Sequence, residues 1–165
     1  MIITEYNRLA AVRYAGRWAF RRNPAFYNFN DLGGDCTNFV SQCVYAGAEV
    51  MNFTPDTGWY YISADFRSPS WTSVRFFYDF ITTNEGIGPY GYEADISELL
   101  PGDVVQLAYN EENTFEHTLL VVGVGRNKNP QNILLAAHSR DAFRRRLSSY
   151  NYINARFIHI EGVRT

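Results

Sequence analysis

The hydrophobic pattern of this 165-residue chain changes its period once, near residue 95, and this change constrains the fold more than any other feature. Before it, apolar residues recur every three or four positions, which is the spacing of one helix face. After it, apolar residues form short runs between turn residues, as in buried strands. Helices followed by strands predict an α+β fold in which N-terminal helices pack on a mostly antiparallel β-sheet.

Periodicity places three helices and four strands along the chain. The predicted helices cover residues 4–22, 35–47 and 70–81, and the predicted strands cover residues 104–107, 117–124, 133–139 and 156–160. Thr4, Asp35 and Ser70 are the expected N-caps, because each precedes an apolar helical pattern. Gly47 is expected to stop the second helix. Residues 84–91 are predicted to be a loop.

The chain is expected to form a single domain, with a helical half at about residues 4–83 and a sheet half at about residues 100–161. Hydrophobic residues make up 46% and charged residues 19%, a composition typical of a folded globular protein. Aromatic residues reach 16%, which is more than a core of this size requires. Four of them, in weakly patterned segments, are candidate groove residues: Trp59, Tyr60, Tyr61 and Trp71. The competing interpretation is that they pack under loops against the helical half.

The charge distribution argues against nucleic acid as a partner. The net charge is −2, and the one basic cluster, residues 144–146, is typical of a solvated face. No apolar run is long enough to span a membrane. The first 20 residues lack the features of a signal peptide, which favours the cytoplasm; a trimmed or nonclassically exported chain in the cell envelope is the alternative. The oligomeric state is left open.

The chain has two cysteines, Cys36 and Cys43, which lie on the same predicted helix. Seven residues of helix separate their Cα atoms by about 10 Å, which is too far for a disulfide. No CxxC or HExxH spacing occurs, so no metal site is predicted. Two unpaired thiols fit a reducing compartment, or a cysteine that is kept for chemistry.

Cys36 has the sequence context of a nucleophile. Asp35 is expected to cap the helix, which makes Cys36 its first residue, among free N–H groups that favour a thiolate and could stabilise an oxyanion. Gly33 and Gly34 before it leave room for a substrate backbone. The competing interpretation is a small buried hydrophobic residue, and Cys43, in the middle of the apolar stripe, fits that description.

A catalytic thiol needs a base, and the chain has three histidines: His117, His138 and His159. If residues 117–124 and 133–139 pair as a hairpin in which opposed residue numbers sum to about 255 or 257, His117 and His138 share one face. An even sum would instead put Ser139 or Asp141 on the face of His117. We therefore predict that His117 is the base and that His138 orients it.

Five segments together resemble one family. They are GRWAFRRNPAFYNFNDLGGDCTNFVSQCVYAGA, SPSWTSVRFFYDFI, LLPGDVVQL, HTLLVVG and LAAHSRDAF. In this order they resemble the bacterial putative amidase domains, a group similar to the NlpC-type and CHAP cysteine peptidases of the papain-like clan. The resemblance extends from about Tyr6 to about Ile160. It implies a papain-like cysteine peptidase fold.

The resemblance also implies roles for individual residues. Cys36 matches the family's nucleophile, His117 its base and His138 its polar third member, for which Asp141 and Gln106 are alternative acceptors. Papain-like enzymes add an amide side chain to the oxyanion hole, and Asn30 is the candidate here, with Asn28 in competition.

The implied reaction is hydrolysis of an amide through a thioester, with His117 as acid and then base. Kinship suggests a peptide or peptidoglycan-like substrate, and no cofactor is implied. Three alternatives stay open: an acyltransferase on the same scaffold, an inactive peptide- or wall-binding module, and a structural domain whose aromatic residues bind a protein partner.

Overall fold

The computed structural model describes residues 1–165, and it has four α-helices and seven β-strands. The helices are α1 (Arg8–Trp18), α2 (Cys36–Ala48), α3 (Pro69–Thr72) and α4 (Val74–Thr83). The strands are β1 (Ile3–Thr4), β2 (Gly88–Ala94), β3 (Val104–Ala108), β4 (His117–Val124), β5 (Ile133–Ala137), β6 (Ala142–Arg146) and β7 (Asn154–Arg164). No helix combines the length and the apolar composition needed to cross a membrane.

All seven strands belong to one sheet. Its order is β1-β7-β3-β4-β5-β6, and β2 forms a branch on β7. Every pairing is antiparallel, which confirms the prediction of an α+β fold with a mostly antiparallel sheet. The predicted strand at residues 117–124 coincides with β4.

Side chains alternate across the sheet and divide the core in two, as the period of a strand requires. On one face Leu120 and Val122 of β4 pack with the buried side chains of α1, α2 and α4. On the other face Leu119 and Val121 pack with residues from β3, β5 and the segment after β6. Strand β4 is therefore buried on both sides, and its first residues lie under the start of α2.

The first helix is shorter than predicted. It begins at Arg8, where Asn7 is the N-cap and its side chain accepts a hydrogen bond from the N–H of Ala10. Thr4, the expected cap, lies in β1 and pairs with Val163 of β7. Sheet pairing of the N-terminal residues overrides a local preference that is weak by comparison.

Gly47 does not stop α2, which continues to Ala48 and ends with Glu49 in the left-handed conformation at φ 61°. A Cβ atom at Gly47 would lie 2.5 Å from the ring of Tyr6 and 2.7 Å from the carbonyl oxygen of Asn7. The glycine is therefore required by close packing rather than by the end of the helix.

The predicted helix at residues 70–81 is two helices, which meet at Ser73. The side chain of Ser73 caps α4 by accepting from the N–H of Phe76. Ser70, the expected cap, is buried, and its hydroxyl donates to the carbonyl of Gly58. Three strands were not predicted: β1 at the N-terminus, β2, which starts inside the expected loop at 84–91, and β6.

Candidate active site

Cys36 is the first residue of α2, as predicted, and its side chain is buried. The turn before it uses two glycines with positive φ, 87° at Gly33 and 102° at Gly34, a conformation that side-chain-bearing residues rarely adopt. A Cβ atom at Gly33 would meet nothing within 4 Å, whereas one at Gly34 would lie 3.6 Å from the hydroxyl of Ser139. The turn therefore leaves open space beside Gly33, three residues before the thiol.

Asp35 occupies the N-cap position, but its carboxylate does not cap the helix. It accepts hydrogen bonds from the N–H of Phe29 and the amide of Asn38, both at 2.8 Å. It also contacts Nδ1 of His138 at 2.6 Å and Nε of Arg22 at 3.5 Å. The predicted cap is wrong because these partners occupy the carboxylate, so the first-turn N–H groups of α2 have no side-chain acceptor.

The thiol of Cys36 is held against the first residues of β4. Its sulfur accepts from the backbone N–H of Thr118 and lies 3.8 Å from the hydroxyl of Thr37. The Thr37 hydroxyl in turn lies 2.9 Å from that of Thr118. These contacts join the start of α2 to the start of β4, one residue from His117.

Burial raises the pKa of Cys36, and the N–H of Thr118 and the hydroxyl of Thr37 lower it by a smaller amount. The expectation that the helix start favours a thiolate is therefore wrong for the structure as it stands. Loss of solvation destabilises the charged sulfur more than the nearby donors stabilise it. The thiol is protonated at neutral pH.

His117 opens β4, and only 8% of its surface is exposed. Its pKa is lowered to about 4, mainly by burial and to a smaller extent by the charges of Arg140 and Arg145. The imidazole is therefore neutral at pH 7 and able to accept a proton. One aromatic neighbour is Tyr150, whose ring centroid lies 6.3 Å from that of His117.

His138 does not share a face with His117. Leu120 pairs with Ala136 and Val121 pairs with Leu135, so opposed residue numbers sum to 256 at this end of the hairpin. A β-bulge between Val121 and Gly123 changes the sum to 257 toward the loop, where Val124 pairs with Ile133. The odd sum that we expected is correct only beyond the bulge.

The imidazole of His138 is instead buried on the helical side. Its Nδ1 contacts Asp35 at 2.6 Å, its Nε2 contacts the carbonyl of Trp18 at 2.8 Å, and its ring stacks on Phe39 at 4.0 Å. Both ring nitrogens are therefore occupied, and His138 has none left for His117. Its place in the structure is to hold Asp35, and through it the start of α2.

The other polar candidates also bond elsewhere. Gln106 is buried, and its carbonyl oxygen accepts two hydrogen bonds from Arg156. Asp141 forms a bidentate ion pair with Arg22 at 3.0 Å. Asn30 is exposed, and its backbone N–H donates to the side chain of Asn28. None of the three makes a hydrogen bond to Cys36 or His117.

The candidate groove residues belong mainly to the core. Trp59 and Trp71 are fully buried, and their indole N–H groups donate to Ser41 and Asn38 of α2. The hydroxyl of Tyr61 accepts from the N–H of Tyr27. The groove prediction is wrong for the two tryptophans, and the alternative that they pack against the helical half is confirmed.

A cleft of about 290 Å³ opens beside His117, on the side of the sheet away from the helices. Its lining residues are Tyr109, Glu116, His117, Ser139, Arg140, Arg145 and Tyr150. Ser139 connects this cleft to the start of α2, because its hydroxyl accepts from the N–H of Asp35 at 3.1 Å. The cleft is therefore bordered by His117 itself and is joined to the start of α2 through Ser139.

A family model for the putative amidase domain matches residues 5–161 of the chain. The chain belongs to this family. The family description indicates an amide hydrolase at the level of reaction class. No solved structure matches the chain.

A curated relative of this putative amidase domain is the "uncharacterized protein YhbB" of Bacillus subtilis (strain 168). The two are 34% identical over 128 residues, which is 76% of this chain and 40% of the relative. The amidase domain therefore spans two fifths of the length of the relative that it matches.

Sequence reasoning missed most of the cleft of this amidase domain. Arg145 lies in the run at residues 144–146 that was interpreted as a solvated face, yet it alternates inward from β6 while Arg144 and Arg146 are exposed. Strand period alone does not single it out, because Arg144 has a φ of 61° and the β5–β6 pairing shifts by one residue before Arg145. Phe143, two residues earlier, packs on the helical side instead. Tyr109 and Tyr150 have no local signal, because their positions depend on how distant segments meet. No group of three or more His, Cys, Asp or Glu side chains is arranged to hold a metal ion.

Proposed function

We propose that this domain is a thiol-dependent amide hydrolase, with Cys36 as the nucleophile and His117 as the base, in a single papain-like domain. The observation that carries the proposal is a thiol at the uncapped start of a helix, in contact with the residue that follows His117. Two features support its chemistry: first-turn N–H groups without a side-chain acceptor, and a buried imidazole that is neutral at pH 7.

In the first half of the reaction, His117 takes the proton of the Cys36 thiol as the sulfur attacks the carbonyl carbon of the amide. The carbonyl oxygen becomes an oxyanion, which the first-turn N–H groups of α2 stabilise. The tetrahedral intermediate collapses to a thioester as the protonated His117 donates to the departing amine. A neutral thiol and a neutral imidazole form a suitable resting pair, because the proton moves only when the substrate is in place.

In the second half, a water molecule enters from the cleft and His117 removes one of its protons. The resulting hydroxide attacks the thioester carbon, and the tetrahedral intermediate releases a carboxylic acid. The proton on His117 returns to the sulfur, which restores the starting pair. One amide bond and one water are consumed, and one acid and one amine are released.

His138 has a positioning role in this proposal. It contacts the carboxylate of Asp35, whose other bonds fix the turn before Cys36, and it does not touch the reacting atoms. Ser139 is the next residue of the chain. If the register of the Leu120–Ala136 pair is extended to the end of the hairpin, Ser139 lies opposite His117. These positions support Ser139, rather than His138, as the polar group beside the base.

The test compares wild type with Cys36→Ala on simple peptide amides and on cell-wall peptides, the substrates that the resemblance to NlpC-type and CHAP peptidases suggests. We expect Cys36→Ala to lower the rate of amine release by about 1,000-fold or more, and His117→Gln to lower it by about 100-fold or more. Trapped enzyme should gain the mass of the acyl group at Cys36 alone.

Cys43→Ala is the matched control, because Cys43 is fully buried in the same helix. Its rate per folded molecule should stay within about threefold of wild type. Equal rates for wild type and Cys36→Ala would contradict the proposal, and so would loss of activity in both cysteine variants to the same degree.

A further inference from the structure

The cleft beside His117 contains two guanidinium groups that lack an acidic partner. Arg140 forms no ion pair and donates no side-chain hydrogen bond, and Arg145 donates only to the hydroxyl and carbonyl of Ser149, at 2.9 and 3.0 Å. Outside the cleft, three arginines have a carboxylate partner: Arg8, Arg22 and Arg75. The cleft therefore holds cations whose charge the protein itself does not match.

The single carboxylate that lines the cleft is already engaged. Glu116 accepts from the N–H of Tyr109 at 3.1 Å and from the side chain of Asn110 at 3.0 and 3.2 Å. These bonds hold it on the Tyr109 side of the cleft, and it forms no ion pair with Arg140 or Arg145. Two cations therefore face one carboxylate that is bound elsewhere.

Tyr150 supplies an independent observation. Only 9% of its surface is exposed, it lines the cleft, and its hydroxyl proton has no acceptor. The guanidinium of Arg145 lies over its ring, 3.8 Å from the centroid. A buried hydroxyl without a partner is costly and therefore uncommon. Burial raises the pKa of Tyr150, and the charge and side-chain hydrogen bond of Arg145 oppose this rise by smaller amounts. The hydroxyl therefore stays protonated and can donate, and what is missing is an acceptor.

The backbone holds Arg140 at the cleft in an unusual conformation. Ser139 and Arg140 have φ values of 59° and 75°, in the tight turn that joins β5 to β6. Glycine and asparagine adopt this conformation most easily. The same turn places the Ser139 hydroxyl on the N–H of Asp35, so the backbone at Arg140 is positioned relative to the start of α2, while its side chain is exposed.

We propose that Arg140, Arg145 and the hydroxyl of Tyr150 form a binding site for a carboxylate group of the substrate. This inference rests on the proposed function, and it identifies the substrate class as amides that carry a carboxylate close to the bond that is cut, such as acidic peptides. Guanidinium groups bind carboxylates through paired, charge-assisted hydrogen bonds. The Tyr150 hydroxyl adds a third donor.

Carboxylate binding would also act on the base. Arg140 and Arg145 both lower the pKa of His117, in addition to the larger effect of burial. A bound carboxylate offsets their charge, so His117 becomes more basic when the cleft is filled. An acidic substrate would therefore strengthen the base at the moment at which it is needed.

The first test uses two reagents of nearly equal size that differ in charge, iodoacetate and iodoacetamide, on a Cys43→Ala background in which Cys36 is the one thiol. We expect Arg140→Gln and Arg145→Gln each to lower the iodoacetate-to-iodoacetamide rate ratio by about 3- to 10-fold. Arg146→Gln is the matched control, because it removes the same charge from the next residue of β6, which alternates to the other face. Its ratio should stay within about twofold of the parent.

The second test does not depend on the reactivity of Cys36. It titrates Cys36→Ala with N-acetylglycine and with its neutral analogue N-acetylglycinamide, and follows the His117 ring signal by NMR, assigned through His117→Gln. We expect N-acetylglycine alone to shift the signal, and Arg140→Gln to weaken its binding by about 5-fold or more.

The two hypotheses fail in different ways. Equal hydrolysis rates for wild type and Cys36→Ala would overturn the hydrolase proposal. If N-acetylglycine still binds and Arg140→Gln weakens that binding, the carboxylate site is supported even so. Equal binding of the acid and the neutral amide, or rate ratios that Arg140→Gln and Arg146→Gln change alike, would overturn the carboxylate site whatever the activity.

Discussion

At the scale of residues, the candidate site combines two groups that burial keeps uncharged. Burial raises the pKa of Cys36 and lowers that of His117. The pair is therefore suited to general-base activation of a thiol rather than to a permanent thiolate and imidazolium. Loss of solvation accounts for both directions, since it penalises whichever form carries charge.

The first prediction concerns the acid sensitivity of the fold. The pKa of His117 is about 4 in the folded protein, whereas an unfolded histidine titrates near 6.5. Between these pH values the unfolded chain binds a proton that the folded chain does not, so stability falls as the pH drops from about 6.5 to about 4. The shift corresponds to a contribution of about 3 kcal/mol.

We expect His117→Gln to lose this contribution to the pH dependence. Urea unfolding of both proteins at pH 7, 5.5 and 4, followed by tryptophan fluorescence, gives the free energies of unfolding. The stability of wild type relative to His117→Gln should fall by about 3 kcal/mol between pH 7 and pH 4. A constant difference over this range would mean that His117 is not buried in its neutral form.

At the scale of elements, the start of α2 is fixed by side-chain contacts from outside the helix. Asp35 joins the turn at Phe29, the ring of His138 and the first turn of the helix itself through Asn38. A buried carboxylate with this many partners is part of a network in which each member depends on the others. The position of Cys36 therefore depends on residues far along the chain.

The second prediction tests this network with Asp35→Asn. The amide can still accept from Phe29, but the substitution removes the negative charge that faces His138 and Arg22. We expect a loss of about 2–4 kcal/mol in the free energy of unfolding, measured in urea at pH 7.

Asp141→Asn is the matched control, because Asp141 pairs with the same Arg22 in a more exposed position, with 30% of its side chain accessible. A loss of less than about 1 kcal/mol is expected there. Equal effects of the two substitutions would show that Asp35 is no more than one half of a surface ion pair.

At the scale of the whole molecule, the segment around Tyr6 connects the helical layer to the sheet. The ring of Tyr6 packs against Gly47 of α2, and its hydroxyl donates to the carbonyl of Gly102 at 2.9 Å. Two residues later, Arg8 pairs with the buried Asp103 at 2.7 Å. The ring of Tyr6 therefore determines the distance between α2 and the turn before β3.

The third prediction is that Gly47→Ala destabilises the protein. In an exposed helix this change usually stabilises by about 1 kcal/mol. Here the added Cβ would lie 2.5 Å from the Tyr6 ring and 2.7 Å from the Asn7 carbonyl, so the layers must shift. We expect a net loss of about 1–3 kcal/mol in the free energy of unfolding.

Gly16→Ala in α1 is the control, since its Cβ would meet Phe143 at an ordinary 3.4 Å. That variant should be neutral or up to about 1 kcal/mol more stable than wild type. A Gly47→Ala protein as stable as Gly16→Ala would show that the contact with Tyr6 is loose.

The sequence allowed prediction of those features that depend on local patterns. The periodicity of α2 and the apolar run of β4 identified both elements that carry Cys36 and His117. The face of His138 could not be predicted in this way, because it depends on a bulge near Gly123 that changes the pairing by one residue. The partners of Asp35 could not be predicted either. The imidazole of His138 is distant in sequence and competes with the helix N–H groups for the carboxylate only in the folded chain.

The bulge in β4 also has an evolutionary consequence. Because one unpaired residue decides whether His138 or Ser139 faces the cleft, a relative whose hairpin is one residue shorter would present a different side chain beside its base. A one-residue deletion in this hairpin would therefore change the side chain beside the base, as a substitution would. Among homologues, the third polar residue should therefore be assigned from strand register, and not from the alignment column in which a histidine happens to recur.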